Sequence, residues 1–87
     1  MADIYNNKQL FLKKLIYRSK YTGTKETDIL LGKFADKYLQ NFSCSDLISY
    51  EKLLESGDPR IWKLAVDQEV TLDKKEEFLI NLIKSFT

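Results

Sequence analysis

Histidine is missing from this 87-residue chain, and cysteine occurs once, at Cys44. From such a set no intrachain disulfide, no Cys/His zinc site and no Ser-His or Cys-His pair can be built. Long apolar runs are also missing, and none approaches the roughly 20 residues needed to span a bilayer. The opening residues MADIYNNKQ lack the charged and apolar regions of a secretory signal, and they lack the arginine-rich amphipathic pattern of a mitochondrial transit peptide. These absences predict a soluble protein of a reducing compartment, a bacterial cytoplasm rather than a mitochondrial matrix. A strong excess of one charge is lacking too, since the net charge is +1.

What is present belongs to a folded chain. Hydrophobic residues make up 44% and charged residues 31%, away from the low-hydrophobicity corner where disorder lies. The length suffices for one domain, residues 1–87, with one modest core. Charge is uneven along it. Residues 1–42 hold eight Lys/Arg against four Asp/Glu, a local +4, and residues 43–87 hold six against nine, a local −3. Such a dipole can steer docking, but it is far below the basic density of a dedicated nucleic-acid binder.

Apolar residues recur at helical spacing in five segments, at about 7–20, 24–40, 45–55, 59–66 and 74–86. In the first, Leu12, Leu15 and Ile16 form a stripe flanked by Phe11. The second is the most regular, with Thr27, Leu30, Leu31, Phe34, Ala35, Tyr38 and Leu39 in phase. Ser43 with Asp46, and Asp73 with Glu76, have the spacing of helix N-caps. Asp58-Pro59 reads as a capping carboxylate followed by proline at the first helical position. Trp62, Phe78 and Phe86 are expected in the core, because aromatics at helical spacing usually fill a bundle. Val70-Thr71-Leu72 is strand-like but too short for a sheet. The expected fold is all-α, a single-domain five-helix bundle.

Between the first two helices stands Tyr17-Arg18-Ser19-Lys20-Tyr21-Thr22-Gly23-Thr24-Lys25-Glu26, followed by Asp28, Leu30-Leu31-Gly32 and Phe34-Ala35. Further on come Tyr50-Glu51, Leu53-Leu54-Glu55 and Asp58-Pro59. This order of features, in a chain of this length, resembles the SdhE family, the succinate dehydrogenase or FAD assembly factors. These are small five-helix proteins with an R-G-x-x-E motif between helices one and two. The resemblance covers roughly residues 12–64. The motif's arginine position holds Thr22 here, and a hydroxyl cannot make the forked, charge-assisted bonds of a guanidinium. Arg18, Lys20 or Lys25 can bring positive charge to the same surface by another route.

The resemblance implies an assembly factor that binds the flavoprotein subunit of succinate dehydrogenase, with fumarate reductase as a further candidate client. It would promote covalent attachment of FAD to a client histidine and carry out no catalysis itself. FAD is then the client's cofactor, with none held stably by this chain. The implied partner-binding surface comprises Thr22, Gly23, Glu26 and Asp28, flanked by Arg18, Lys20, Tyr21 and Lys25. The chain is expected to be a monomer when free, to bind no nucleic acid and not to insert in a membrane.

Each of these residues also has a plainer reading. Gly23 suits a positive-φ position at the end of helix one, and Glu26 can complement the dipole at the start of helix two. Tyr17, Arg18, Lys20 and Tyr21 are either an interface cluster or a solvated helix face. A small helical nucleic-acid-binding or regulatory domain is the alternative function. On the second helix, however, Lys25, Lys33 and Lys37 are balanced by Glu26, Asp28 and Asp36. An enzyme is weaker still, because Asp58 and Glu26 have capping explanations and nothing converges on them.

Overall fold

The computed structural model describes residues 2–85, with side chains described from residue 8 onward except at position 58. The described residues form five α-helices: α1 (Ala2–Ser19), α2 (Lys25–Tyr38), α3 (Cys44–Glu55), α4 (Asp58–Ala65) and α5 (Lys74–Lys84), with a 3-10 turn at Leu39–Asn41 after α2. No strand occurs among the described residues, and Val70-Thr71-Leu72 lies in the α4–α5 connection. None of the described helices is long and apolar enough to cross a membrane.

The core follows from helical phase. On α2 the residues Thr27, Leu30, Leu31, Phe34 and Ala35 are buried as one stripe, which packs against α1, α4 and α5. Phe34 sits at its centre, with the Tyr50 ring 5.4 Å away on α3 and the Phe42 ring edge-on at 6.0 Å. Leu12 and Leu15 cover this stripe from α1, and Ile16 packs at its margin. Tyr38, placed in phase by its spacing, is only partly buried.

Two aromatics expected in the core lie outside it. The buried stripe of α4 is Ile61, Leu64 and Ala65, and Trp62 stands roughly 100° round the helix from Ile61. Its side chain is therefore exposed. On α5 the buried face is Leu79, Ile80 and Ile83, almost opposite Phe78 on the helical wheel. Phe78 is exposed and leans on Phe42, at 6.4 Å between ring centres. The similar expectation for Phe86 falls outside the described residues.

Helix ends show which caps the chain uses. Ser43 Oγ accepts from the Asp46 N–H at 3.2 Å, and Asp73 Oδ1 accepts from the Glu76 N–H at 2.9 Å, as their spacing predicts. At α4 the N-cap is Gly57, not Asp58, so the helix begins one residue earlier and Pro59 stands at its second position. The expected capping carboxylate of Asp58 lies outside the described side chains. α1 begins at Ala2, five residues before the periodic stripe becomes readable. α4 stops where Asp67 adopts φ 63°, with Gln68 N–H bonding Lys63 O and Asp67 N–H bonding Leu64 O. This pair of bonds satisfies carbonyls that the helix end would leave orphaned.

Three ion pairs tie the C-terminal half together, one of them between Lys84 of α5 and Asp67. Arg60 on α4 meets Glu76 on α5 through two parallel bonds of 3.0 and 2.6 Å, and Glu76 also accepts from the Leu72 N–H at 3.0 Å. Lys75 on α5 pairs with Asp46 on α3 at 2.7 Å.

Candidate functional site

The turn between α1 and α2 is held from both sides. Before it, Ser19 is fully buried and donates to the Leu15 carbonyl at 2.7 Å, while sharing a 2.5 Å bond with the buried Tyr50 hydroxyl. Burial pushes the Tyr50 phenol well above its ordinary value, and the Ser19 bond and the nearby Arg18 charge only partly oppose that. After the turn, Asp28 on the first turns of α2 reaches back. Its Oδ1 accepts from the Thr22 N–H at 2.5 Å and from the Thr22 hydroxyl at 2.6 Å. The bond from the Thr22 hydroxyl, then the Thr22 amide, holds the Asp28 carboxyl below its ordinary range.

Gly23 takes φ 140°, a conformation open to glycine and strained for other residues. It stands four residues past the end of α1 and immediately before Thr24, the N-cap of α2. The helix-one C-cap expected of it is therefore made elsewhere, by Lys20 N–H to Tyr17 O and Tyr21 N–H to Arg18 O. Gly23 instead lets the chain swing from Thr22 into α2. Thr24 caps with backbone geometry alone, and its hydroxyl bonds the Thr27 hydroxyl at 3.0 Å.

The eight residues singled out by sequence divide into four groups. Arg18, Tyr21 and Thr22 line one small cavity with Leu54 of α3. Arg18 also pairs with Glu51 at 3.9 Å, and the exposed Tyr21 ring lies 4.7 Å from the exposed Tyr17 ring. Lys20 turns away onto α2, where its ammonium meets Asp36 at 3.4 Å. Its stem lies over Gly32, where an added methyl would come within 3.3 Å of Lys20 Cγ. Gly23, Lys25 and Glu26 are exposed on the outer surface of the turn, whereas Asp28 is a half-buried brace.

Glu26 lines a second, larger cavity, of about 390 Å³, together with Thr24, Thr27, Pro59 and Trp62. Sequence reading misses Pro59 and Trp62 as part of this surface. The signal was available, because Trp62 is out of phase with Ile61, Leu64 and Ala65 on its own helix. Among the described residues no cluster of His, Cys, Asp or Glu could hold a metal ion, and Cys44 is an exposed free thiol at the start of α3.

Comparison with known proteins adds a family to this geometry. A profile described as Sdh5, flavinator of succinate dehydrogenase, matches residues 13–87. The chain is 35% identical over 74 residues to succinate dehydrogenase assembly factor 2-A, mitochondrial, of Drosophila yakuba, covering 83% of this chain and 46% of that protein. It is 44% identical over 45 residues to the mitochondrial succinate dehydrogenase assembly factor 2 of Debaryomyces hansenii, covering 52% and 32%. To the same-named protein of Lodderomyces elongisporus it is 39% identical over 66 residues, covering 74% and 40%. No solved structure matches the chain significantly.

These relatives overturn the expected bacterial cytoplasm, since all three are named as mitochondrial. The chain spans less than half the length of each of these three relatives. Where this sequence begins therefore carries no weight against them. The family is one of accessory factors for succinate dehydrogenase, not of enzymes. On the match over residues 13–87, the chain belongs to the Sdh5 family, the flavinators of succinate dehydrogenase.

Proposed function

We propose that this chain is an assembly factor that binds the flavoprotein subunit of succinate dehydrogenase and promotes covalent attachment of FAD to it. The family match over residues 13–87 is the observation that carries this reading. The braced turn supplies the contact surface, with Gly23 allowing close approach of a partner backbone and Tyr21, Lys25 and Glu26 facing outward. The chemistry belongs to the client. This chain contributes by holding client segments in a productive geometry and keeping water from the reacting atoms, effects that can lower a barrier by several kcal/mol without any catalytic group.

FAD is assigned to the client. The cavity beside Trp62 carries one carboxylate, Glu26, which repels a diphosphate. Acting as a monomer suits a helper that must leave its client, and the balanced charge of α2 gives nucleic acid no phosphate-binding stripe.

Flavinylation of the recombinant apo flavoprotein subunit tests the reading, measured by protein-bound flavin fluorescence with wild type, Gly23→Arg and Glu26→Ala. Wild type is expected to accelerate attachment and both variants to lose most of that effect. Attachment at the same rate with and without the wild-type chain would overturn the function. Full activity in both variants would overturn the turn as its working surface.

A further inference from the structure

The cavity between the N-terminal turns of α2 and α4 combines three things that seldom meet on a small domain. It has an exposed indole, Trp62, a proline ring, Pro59, and a carboxylate, Glu26, that has no ionic or hydrogen-bonding partner among the described residues. Arg60, the arginine of the same helix, cannot fill it, because its guanidinium is committed to Glu76 on the other side of α4. Glu26 stands at the second position of α2, where its charge offsets the positive end of the helix, so the site does not repel cations.

A carboxylate beside an aromatic face in an apolar recess selects a planar cation. A guanidinium can make two parallel N–H···O bonds to the carboxylate and lie flat on the indole, while its methylene stem runs along apolar walls. An ammonium does only the first of these, as a point charge.

We infer that this groove accepts an arginine side chain presented by the client flavoprotein, its guanidinium on Glu26 and its stem across Trp62. The identity of the partner rests on the proposed function, whereas the chemistry of the occupant rests on the groove. The contact extends the working surface from the motif turn onto α4, at residues that the motif does not include.

Two measurements test it. In the first, the apo flavoprotein subunit is titrated with wild type, Glu26→Gln, Trp62→Leu and the double variant. Each single change is expected to weaken binding about tenfold. The double variant is expected to lose much less than the product of the two, because one side chain spans both residues. Binding within about twofold of wild type for either single variant, or losses that multiply fully, would overturn the inference. Failure of the wild type to bind would instead count against the proposed function.

The second measurement needs no client. Trp62 is the only tryptophan in the chain, so its emission reports on the groove alone. Titration with an acetylated Gly-Arg-Gly amide should give a saturable change in the millimolar range. That change should be absent with the citrulline counterpart and absent in Glu26→Gln. No saturable change with the arginine peptide overturns the inference whatever the client does. A dimer of this chain that Trp62→Leu dissociates would identify the occupant as a second copy and overturn the assignment to the flavoprotein.

Discussion

Tyr50 donates its phenolic hydrogen to Ser19 Oγ across 2.5 Å, because Ser19 has already given its single hydrogen to the Leu15 carbonyl. The two residues are 31 apart in sequence and fully buried, and their bond fixes the last turn of α1 to the middle of α3. Removing the two partners has unequal effects. Ser19→Ala strands a buried hydroxyl and is expected to cost about 1–3 kcal/mol, whereas Tyr50→Phe leaves Ser19 bonded to Leu15 and costs about 1 kcal/mol. The double variant, with nothing stranded, should be more stable than Ser19→Ala alone. Urea unfolding of the four proteins measures all three values.

The same hydroxyl makes the fold sensitive to alkali. Burial raises the folded-state phenol above its ordinary value of 10, so the native protein keeps a proton that the unfolded chain has lost. Stability from this group is full below about pH 10 and is lost as pH rises beyond it. Tyr50→Phe should flatten the decline of unfolding free energy between pH 10 and 11.5 relative to wild type.

Acid acts through the other end of the molecule. The Arg60 guanidinium, then the Leu72 amide, hold the Glu76 carboxyl below its ordinary value of 4.5 against the opposing effect of partial burial. A depressed carboxylate stabilises the fold above its unfolded value and loses that contribution as pH falls. Stability should therefore drop below about pH 4.5 in wild type. Glu76→Gln should lie about 1–3 kcal/mol lower at neutral pH and show a shallower acid decline.

Thr22→Arg tests the position where this chain departs from the R-G-x-x-E pattern. Arg18 and Lys20, the neighbouring cations, already face Glu51 and Asp36, so they substitute only in part for a free guanidinium. Client affinity is expected to rise several-fold in Thr22→Arg. The Thr22 amide bond to Asp28 survives the change, so stability should fall by less than about 1 kcal/mol. Calorimetric titration with the apo flavoprotein and a parallel urea curve check the two statements.

Much of the fold was legible because helical phase is a geometric signal that burial obeys. On α2 the periodic residues Thr27, Leu30, Leu31, Phe34 and Ala35 are buried, and the Ser43 and Asp73 caps form at the expected amides. Trp62 and Phe78 fall outside the core because helical phase, not aromatic character, decides which side chains are buried. Their neighbours Ile61, Leu64 and Ala65, and Leu79, Ile80 and Ile83, define stripes that exclude them. Of the site, the turn could be located, but the inward role of Asp28 and the buried Ser19–Tyr50 bond could not. Both are contacts between polar side chains, which leave no periodic trace in sequence.

The anchors on either side of the turn, Ser19 on Tyr50 and Asp28 on Thr22, also bear on kinetics. A segment fixed before the encounter has little ordering left to do, so association can proceed at the rate set by diffusion and orientation. Changes at this surface should then appear in how long the complex lasts rather than in how fast it forms. Loosening either anchor would reverse that pattern and slow the encounter itself.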